Sequence, residues 1–482
     1  VLVQPIALRE EVAALDAELA ARAAVEATIE RVGFAVALVA RRLVGGVYGR
    51  RVLCVVGPGN NGRDAEAAGR RLAAWGARVR AEALRDLVAG EASHLIQAAD
   101  LVIDGGLGTG RARPLVPLGL ERAGRVLAVD VPSGIDADTG DVVGADLGGA
   151  AVRADATATV GAIKPGLLFG QGPEHAGALV RVVEDLVPPS VHTWLVSGAD
   201  VAGALPTPRR SAHKWQAGLL VVGGSPGMRG APAFVARGAW AAGAGIVHVA
   251  TRSEPAEAVA LELAPEAVVR RLVAGHVDAQ LADAARFGAA VVGPGLGASL
   301  ASANLVRRVV HQLDVPFVLD ADGLTSLAGE GRLQAVLAER RAGCVITPHE
   351  GELARVLPDV TGTPLARARE AARRLGVVVL LKGNPTVVAS PEQEAFVVAS
   401  GSARLASAGT GDVLAGVVGG LIAQGLDPLR AAWAGAWLHG RAGAEVPERL
   451  ARPDLLADSV AELVGVLVRV PSHPGAELEV RP

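Results

Sequence analysis

The segment RVLCVVGPGNNGRDAEAAGRRLA, residues 51–73, decides the fold class. After Arg51 comes an apolar run too short for a helix, then a glycine turn, then alanines and leucine spaced along one face of a charged helix. A run with no polar alternation is a strand buried on both faces, as in a parallel sheet covered by helices. DLVID (100–104) and RVLAVDV (125–131) repeat the pattern, each running into a polar or glycine-rich loop. Residues 7–44, ahead of them, read as one long helix with Val12, Leu15, Leu19, Val25, Ile29 and Val32 at helical spacing.

Working outward, 184–216 breaks the rhythm with four prolines and a basic cluster and reads as a linker. The pattern then restarts in GLLVVGG (218–224), AGIVHVA (244–250), AAVVGPG (289–295), VPFVLDADG (315–323), GCVITP (343–348) and GVVVLLKG (376–383). TVVAS and EAFVVAS, separated by PEQ, read as an antiparallel hairpin, and the last long helical stretch begins at Gly411. An α/β chain of two different domains follows, with the boundary in 185–212.

A length of 482 residues agrees with two domains or more. With 47 basic against 50 acidic residues, the charge balance gives no support to a nucleic-acid or membrane partner. Aromatic residues are only 3%, so the cores must be built from Ala, Val and Leu. Cys54 and Cys344 lie inside apolar runs, which speaks for buried strand thiols and against a disulfide framework. No signal peptide or membrane span is legible, so a cytoplasmic location is expected.

In the first half, Gly57-Pro58-Gly59-Asn60-Asn61-Gly62 spells the dinucleotide fingerprint, with Glu82 at the expected distance. Asn60 and Asn61 fit it poorly, because a pyrophosphate needs only backbone N–H groups there. Two readings stand: the amides read a polar ligand or a cation, or they cap the helix. Asp104 precedes GGLGTGRARPL and Asp130 precedes VPSGIDADTG, so three polar loops gather at strand carboxyl ends, where open parallel sheets bind ligands. Lys164, in ATVGAIKPGLLFGQG, follows another strand toward the same cleft.

Together GPGNNGRD, DGGLGTG, VDVPSGID and GAIKPGLL resemble the N-terminal domain of the YjeF family, the NAD(P)H-hydrate epimerases. The resemblance implies that Asn60, Asn61, Gly62, Arg63 and Asp64, the loop Gly108, Thr109, Gly110, Arg111, Ala112, Arg113 and Pro114, and Asp130 contact the hydrated nucleotide. It implies K+ on Asn61, Asp104 and Ser133, and proton transfer by Asp130 with Lys164 as helper. The family's usual NNGGDG run is replaced here by Asn60-Asn61-Gly62-Arg63-Asp64-Ala65, and its MExAG-like segment by IERVG (29–33). Arg63 is strained if the loop demands positive φ there; otherwise its guanidinium either crowds the pocket or grips a phosphate.

In the second half, Ala408-Gly409-Thr410-Gly411-Asp412 opens the helix VLAGVVGGLIAQG. Glycines let backbone N–H groups converge on an anion at a helix N-terminus. Asp412 is then either a general base beside the phosphate or a helix cap. Lys382-Gly383-Asn384-Pro385-Thr386 and Thr347-Pro348-His349-Glu350 each follow a strand; His349 is a ligand contact or a turn residue. Asp320 and Asp322 orient Mg2+ through water or start a turn.

GTGD opening a late helix resembles the anion hole of ribokinase-like kinases. The set GGSPGMRGAPAFVARGAW, VVGPGLG, LDADGL, TPHEGEL, LKGNPTVV and SAGTGDVLAGVVGGLIAQG resembles the ADP-dependent NAD(P)H-hydrate dehydratases. That resemblance implies substrate contacts at Ala231, Gly297, His349 and Asp412, nucleotide contacts at Lys382, Gly383, Asn384, Pro385, Thr386 and Gly411, and Asp412 as catalytic base. It implies a Rossmann-like α/β/α domain over 1–190 and a ribokinase-like domain over 205–482. The expected ligands are NADHX or NADPHX and ADP, with K+ in the first domain and Mg2+ in the second, in a homo-oligomer. The rival is a ribokinase-like small-molecule kinase with a non-catalytic N-terminal binding domain.

Overall fold

In a computed structural model of the chain, the described residues are 4–88, 93–110, 113–207, 213–273, 275–329, 331–340, 342–449 and 456–469. The chain divides into two compact units between Thr193 and Trp194.

In the first unit β1 (Arg51–Val56), β2 (Arg78–Ala83), β3 (Leu101–Gly105), β4 (Val126–Val129), β5 (Ala156–Val160) and β6 (Ala178–Val182) form a parallel sheet in the order β2-β1-β3-β4-β5-β6. Successive side chains of a strand face opposite ways. Val52 and Cys54 of β1 therefore join a core with α2 (Val25–Leu43) and α3 (Asn60–Ala74), while Leu53 and Val55 join Leu87, Ile96 and Leu120 on the other face. Gly33 of α2 lies where a Cβ would overlap Ala67, which lets α2 and α3 approach closely. The strand order reverses between β1 and β3, and this places a ligand crevice at their carboxyl ends.

The single helix expected over 7–44 is two helices. α1 (Arg9–Ala21) and α2 are separated at Arg22–Ala24, where Ala23 takes φ of 52°. No Gly or Pro marks the break, so helical periodicity ran through it unnoticed. No residue of α1 is buried. The segment 184–216, expected to be a linker, contains a strand (Thr193–Leu195) and a helix (Gly198–Ala204) whose Ser197–Asp200 capping box supplies local order.

In the second unit β7 (Gly218–Val222), β8 (Ile246–Thr251), β9 (Val268–Arg271), β10 (Ala289–Val292), β11 (Phe317–Leu319), β12 (Cys344–Ile346), β13 (Val378–Leu381), β14 (Thr386–Ala389) and β15 (Ala395–Val398) run in the order β15-β14-β13-β12-β11-β10-β7-β8-β9. β7 to β13 are parallel, and the hairpin β14–β15 adds antiparallel strands at one side. Helix α4 (Ala231–Ala241) follows β7, and α5 (Leu300–Gln312) follows β10. Later come α6 (Glu350–Val356) and α7 (Thr410–Ala423). α7 is not the last helix: α8 (Pro428–Arg449) and α9 (Leu456–Arg469) follow it. Twelve of the fourteen residues of α7 are buried, so this helix is apolar all round because it is core.

Candidate functional site

The loops after β1 and β3 meet first. The Gly57 N–H donates to the Gly105 carbonyl at 3.0 Å, and a Cβ on Gly62 would overlap the Gly57 carbonyl. Gly59, not an asparagine, is the N-cap of α3, so the amides of Asn60 and Asn61 are not used as caps. Asn61 Nδ2 donates to the Val129 carbonyl at 2.7 Å, and both asparagines line a cavity of about 80 Å³. Asp64, Thr109, Asp130 and Lys164 line it too, and Val12, Leu15 and Leu19 of α1 supply an apolar wall.

Asp130 ends β4 with φ of 68°, a backbone conformation costly for a residue with a side chain. Lys164 Nζ, 1% exposed, donates to Asp130 Oδ1, to the Val160 carbonyl at 2.8 Å and to the Ala162 carbonyl at 3.0 Å. All three donors of this ammonium are thereby used, and Oδ1 of Asp130 also accepts from the Val160 N–H at 3.0 Å. Asp64 differs. Its Oδ1 is buried without a hydrogen-bond partner, and burial, reinforced by Asp130 and Asp16 against the pull of Arg63, pushes its carboxyl up to about 8.

An adjoining cavity of about 260 Å³ is lined by Asn60, Asn61, Gly108, Thr109, Gly110 and Arg113, among others. Gly62 packs beneath the loop, and exposed Pro114 lines neither cavity; Arg111 and Ala112 lie outside the described residues. Arg63 needs no positive φ. It sits within α3, lines neither cavity and pairs with Glu26 of α2 at the surface, so it neither crowds the pocket nor reaches a ligand there. Ala65 is fully buried in the core.

Asp104 closes β3, fully buried. Its oxygens accept from Ser133 N at 2.8 Å, Ser133 Oγ at 2.6 Å and Gly106 N at 3.1 Å, all neutral donors. Burial outweighs these bonds and raises its pKa. A buried carboxylate held only by neutral donors, with the Ser133 hydroxyl on one of its oxygens, is oxygen chemistry suited to a monovalent cation.

In the second unit the loops after β11, β12 and β13 converge. The Lys382 N–H donates to the Pro348 carbonyl at 2.8 Å. Lys382 Nζ donates to Asp320 Oδ1 at 2.9 Å and lies 3.7 Å from Glu352 Oε2. Burial alone would lower the lysine's pKa, but Asp320, Glu352 and Asp412 outweigh it and raise it. Asp320 also accepts from Thr347 Oγ1 at 2.7 Å, and Asp322 Oδ2 accepts from the Gly297 N–H at 2.8 Å. His349 caps α6: its Nδ1 accepts from the Gly351 N–H at 3.0 Å, which leaves the proton of the neutral ring on Nε2.

Gly409, with φ of 88°, is the N-cap of α7, a conformation that favours glycine. Asp412 is therefore not the cap. It lies in the first turn, where burial, then Asp320 and Asp322, push its carboxyl up to about 7 against the pull of Lys382. A Cβ on Gly411 would lie 3.7 Å from Lys382 Nζ, so the ammonium faces the free N–H groups of the helix end. A cavity of about 510 Å³ opens beside them. It is lined by His349, Lys382, Gly383, Asn384, Thr386 and Gly411, but not by Pro385, Ala231, Gly297 or Asp412. Gly297 connects to Asp412 through Asp322, and Ala231 lies against the Gly293–Gly297 loop, 3.1 Å from a Cβ built on Gly295.

Two residues escaped the sequence reading. Asp16 lines both cavities of the first unit from α1, and burial and Asp130 raise its pKa against the pull of Lys164. His439 of α8 lines the large cavity with Nε2 2.9 Å from the Thr410 carbonyl, and burial pushes its ring down to about 4, so it stays neutral. Neither stands in a glycine loop, and no local pattern marks them.

The family model of NAD(P)H-hydrate dehydratase matches residues 219–464, and that of the YjeF-related protein N-terminus matches 25–94 and 82–166. A bifunctional NAD(P)H-hydrate repair enzyme of Moorella thermoacetica is 34% identical over 89% of this chain and 89% of its own. One of Gloeobacter violaceus is 36% identical over 90% and 92%. A ribokinase-like superfamily protein from Enterococcus faecalis superposes with a TM-score of 0.51 at 21% identity, covering 59% of this chain and 98% of its own, which fixes the fold of the second unit.

Proposed function

The chain belongs to the NAD(P)H-hydrate dehydratase family and carries a YjeF-related N-terminal domain, and from that membership we propose that it repairs hydrated nicotinamide nucleotides. The first unit interconverts R and S NAD(P)HX. The second dehydrates the S epimer to NAD(P)H while ADP becomes AMP and phosphate. The observation that carries this reading is the grouping of Lys382, Asp320 and Asp412 at the open N-terminus of α7 beside a nucleotide-sized cavity.

The chemistry follows from these groups. Hydration leaves a hydroxyl on C6 of the nicotinamide ring, and hydroxide leaves badly. Asp412 takes the hydroxyl proton as that oxygen attacks the β-phosphoryl of ADP, releasing AMP. Lys382 and the N–H groups at Gly411 and Asp412 hold the charge on the phosphoryl oxygens. Phosphate then leaves C6, and loss of a ring proton restores the dihydronicotinamide. Gly383, Asn384 and Thr386 line the volume that receives the adenosine. Mg2+ bound with the diphosphate would be oriented through water by Asp320 and Asp322 and would neutralise phosphate charge. In the first unit Asn61, Asp104 and Ser133 would hold K+, supplying positive charge beneath the substrate loop.

The test uses the purified chain with separated NADHX epimers, followed at 340 nm. With ADP the S epimer should return NADH directly and the R epimer only after epimerisation. Phosphorylated alcohol in place of NADH would establish the kinase instead.

A further inference from the structure

Asp16, Asp64 and Asp130 reach one cavity from α1, α3 and the end of β4. They are not held alike. Asp130 is anchored by the ammonium of Lys164 and the Val160 N–H, both on Oδ1. Asp64 is 5% exposed, its Oδ1 has no partner, and the adjacent cation, Arg63, is turned away to Glu26. A buried carboxyl oxygen without a donor is far better tolerated as a protonated acid than as a carboxylate.

We infer that Asp64 is the general acid and Asp130 the general base of epimerisation, with Asp16, which lines the same cavity from α1, a positioning residue. The inference rests on the reading of the first unit as an epimerase and assigns the proton transfers within it. The proton of Asp64 passes to the C6 hydroxyl, the C6–O bond breaks with its electron pair leaving on water, and the N1 lone pair forms a C6=N1 iminium. A water then adds to C6 from the other face, the π pair returns to N1, and Asp130 takes the proton of that water. The cycle closes when a proton passes from Asp130 to Asp64, directly or through solvent. Run backwards, the two acids exchange roles, as interconversion of two epimers requires.

The charges facing Asp64 are Asp130 from the β4 end, Asp16 from α1 and Arg63 on α3, the last already paired with Glu26 of α2; Lys164 pairs with Asp130 and pulls on Asp16. Ionisation of Asp64 near pH 8 should then end the acid role. Removing the negative charge of Asp16 lowers the pH at which that occurs.

The experiment follows interconversion of separated NADHX epimers by chromatography from pH 5.5 to 9.5, without ADP and with the uncatalysed rate subtracted. The full chain should lose activity above about pH 8. Asp16→Asn should move this descending limb to lower pH. Asp64→Asn should lower the rate about 10²-fold or more without lowering the melting temperature, since an amide replaces a neutral acid. An active parent whose Asp16→Asn limb stays in place, or whose Asp64→Asn variant keeps its rate, overturns the assignment. Should Asp64→Asn not fold, the Asp16→Asn limb decides alone. A parent that does not exceed the uncatalysed rate at any pH overturns the epimerase reading itself.

Discussion

Replacing Arg63 by glycine restores the residue that the resembling family carries at this position, and the structure says the change brings the site nothing. The guanidinium points to Glu26 on α2, at side-chain exposures of 40% and 83%, and lines neither cavity. Glycine in place of arginine inside α3 costs about 0.8–1 kcal/mol in helix propensity. Loss of so exposed an ion pair adds about 0–1 kcal/mol. The sum, about 1.5 kcal/mol, should lower the first unit's melting temperature by about 3–6 °C. Differential scanning calorimetry with a ligand-free chain reads this, and epimer interconversion at pH 7 should change less than about twofold, in line with a surface substitution. A tenfold gain in epimerisation with no loss of melting temperature would show that Arg63 does obstruct the site, and the geometry drawn above would be wrong.

Lys382→Met leaves Asp320 buried and unpaired, so a loss of about 3–5 kcal/mol in stability is expected, together with a KM for ADP raised tenfold or more. Denaturant titration and initial rates check the two parts. Asp412 must be ionised to act as base, so dehydration should fall as pH drops below about 7 with a one-proton slope. Its folded pKa lies above the unfolded value, so through this group the native state loses stability as pH rises from about 4 to 7. Asp412→Asn should therefore abolish turnover yet raise the melting temperature at pH 8; a lower one refutes the account. Epimerisation should be faster in potassium chloride than in choline chloride for the parent chain, while Asp104→Asn should not distinguish the two salts.

Much of this architecture was legible because fully buried parallel strands leave unbroken apolar runs, and because the loops after them carry the polar residues. RVLCVV, DLVID and RVLAVD each became a strand ending at the site. The break between α1 and α2 was not legible, because Ala23 adopts a left-handed conformation with no glycine to announce it. Asp16 was missed for a related reason. It lies on a helix with no buried residue, so its periodicity suggested solvent on one side and core on the other, whereas its apolar side lines a cavity. His439 sits in an apolar helix 29 residues from its partner Thr410, a contact that only the tertiary fold creates. Where the sequence left alternatives for Asn60, Asn61 and Asp412, the deciding fact was which residue occupies the N-cap, and in both helices it is a glycine.

The glycine-rich run from Gly409 to Gly420 has a division of labour inside it. Only its first residues meet the cavity and the lysine; a Cβ at Gly416 would overlap the Val235 carbonyl, one at Gly420 would lie 2.7 Å from the Ala239 carbonyl, and one at Gly419 would lie 2.5 Å from Val291 Cγ2. Those later glycines let α7 lie against α4 and the sheet, which fixes the direction in which the helix end points. A pattern search that treats the whole run as one phosphate signature therefore mixes two kinds of information. Changes at 411 and 412 should alter chemistry and leave the molecule folded, whereas changes at the glycines 416, 419 and 420 should unfold it without ever touching a ligand.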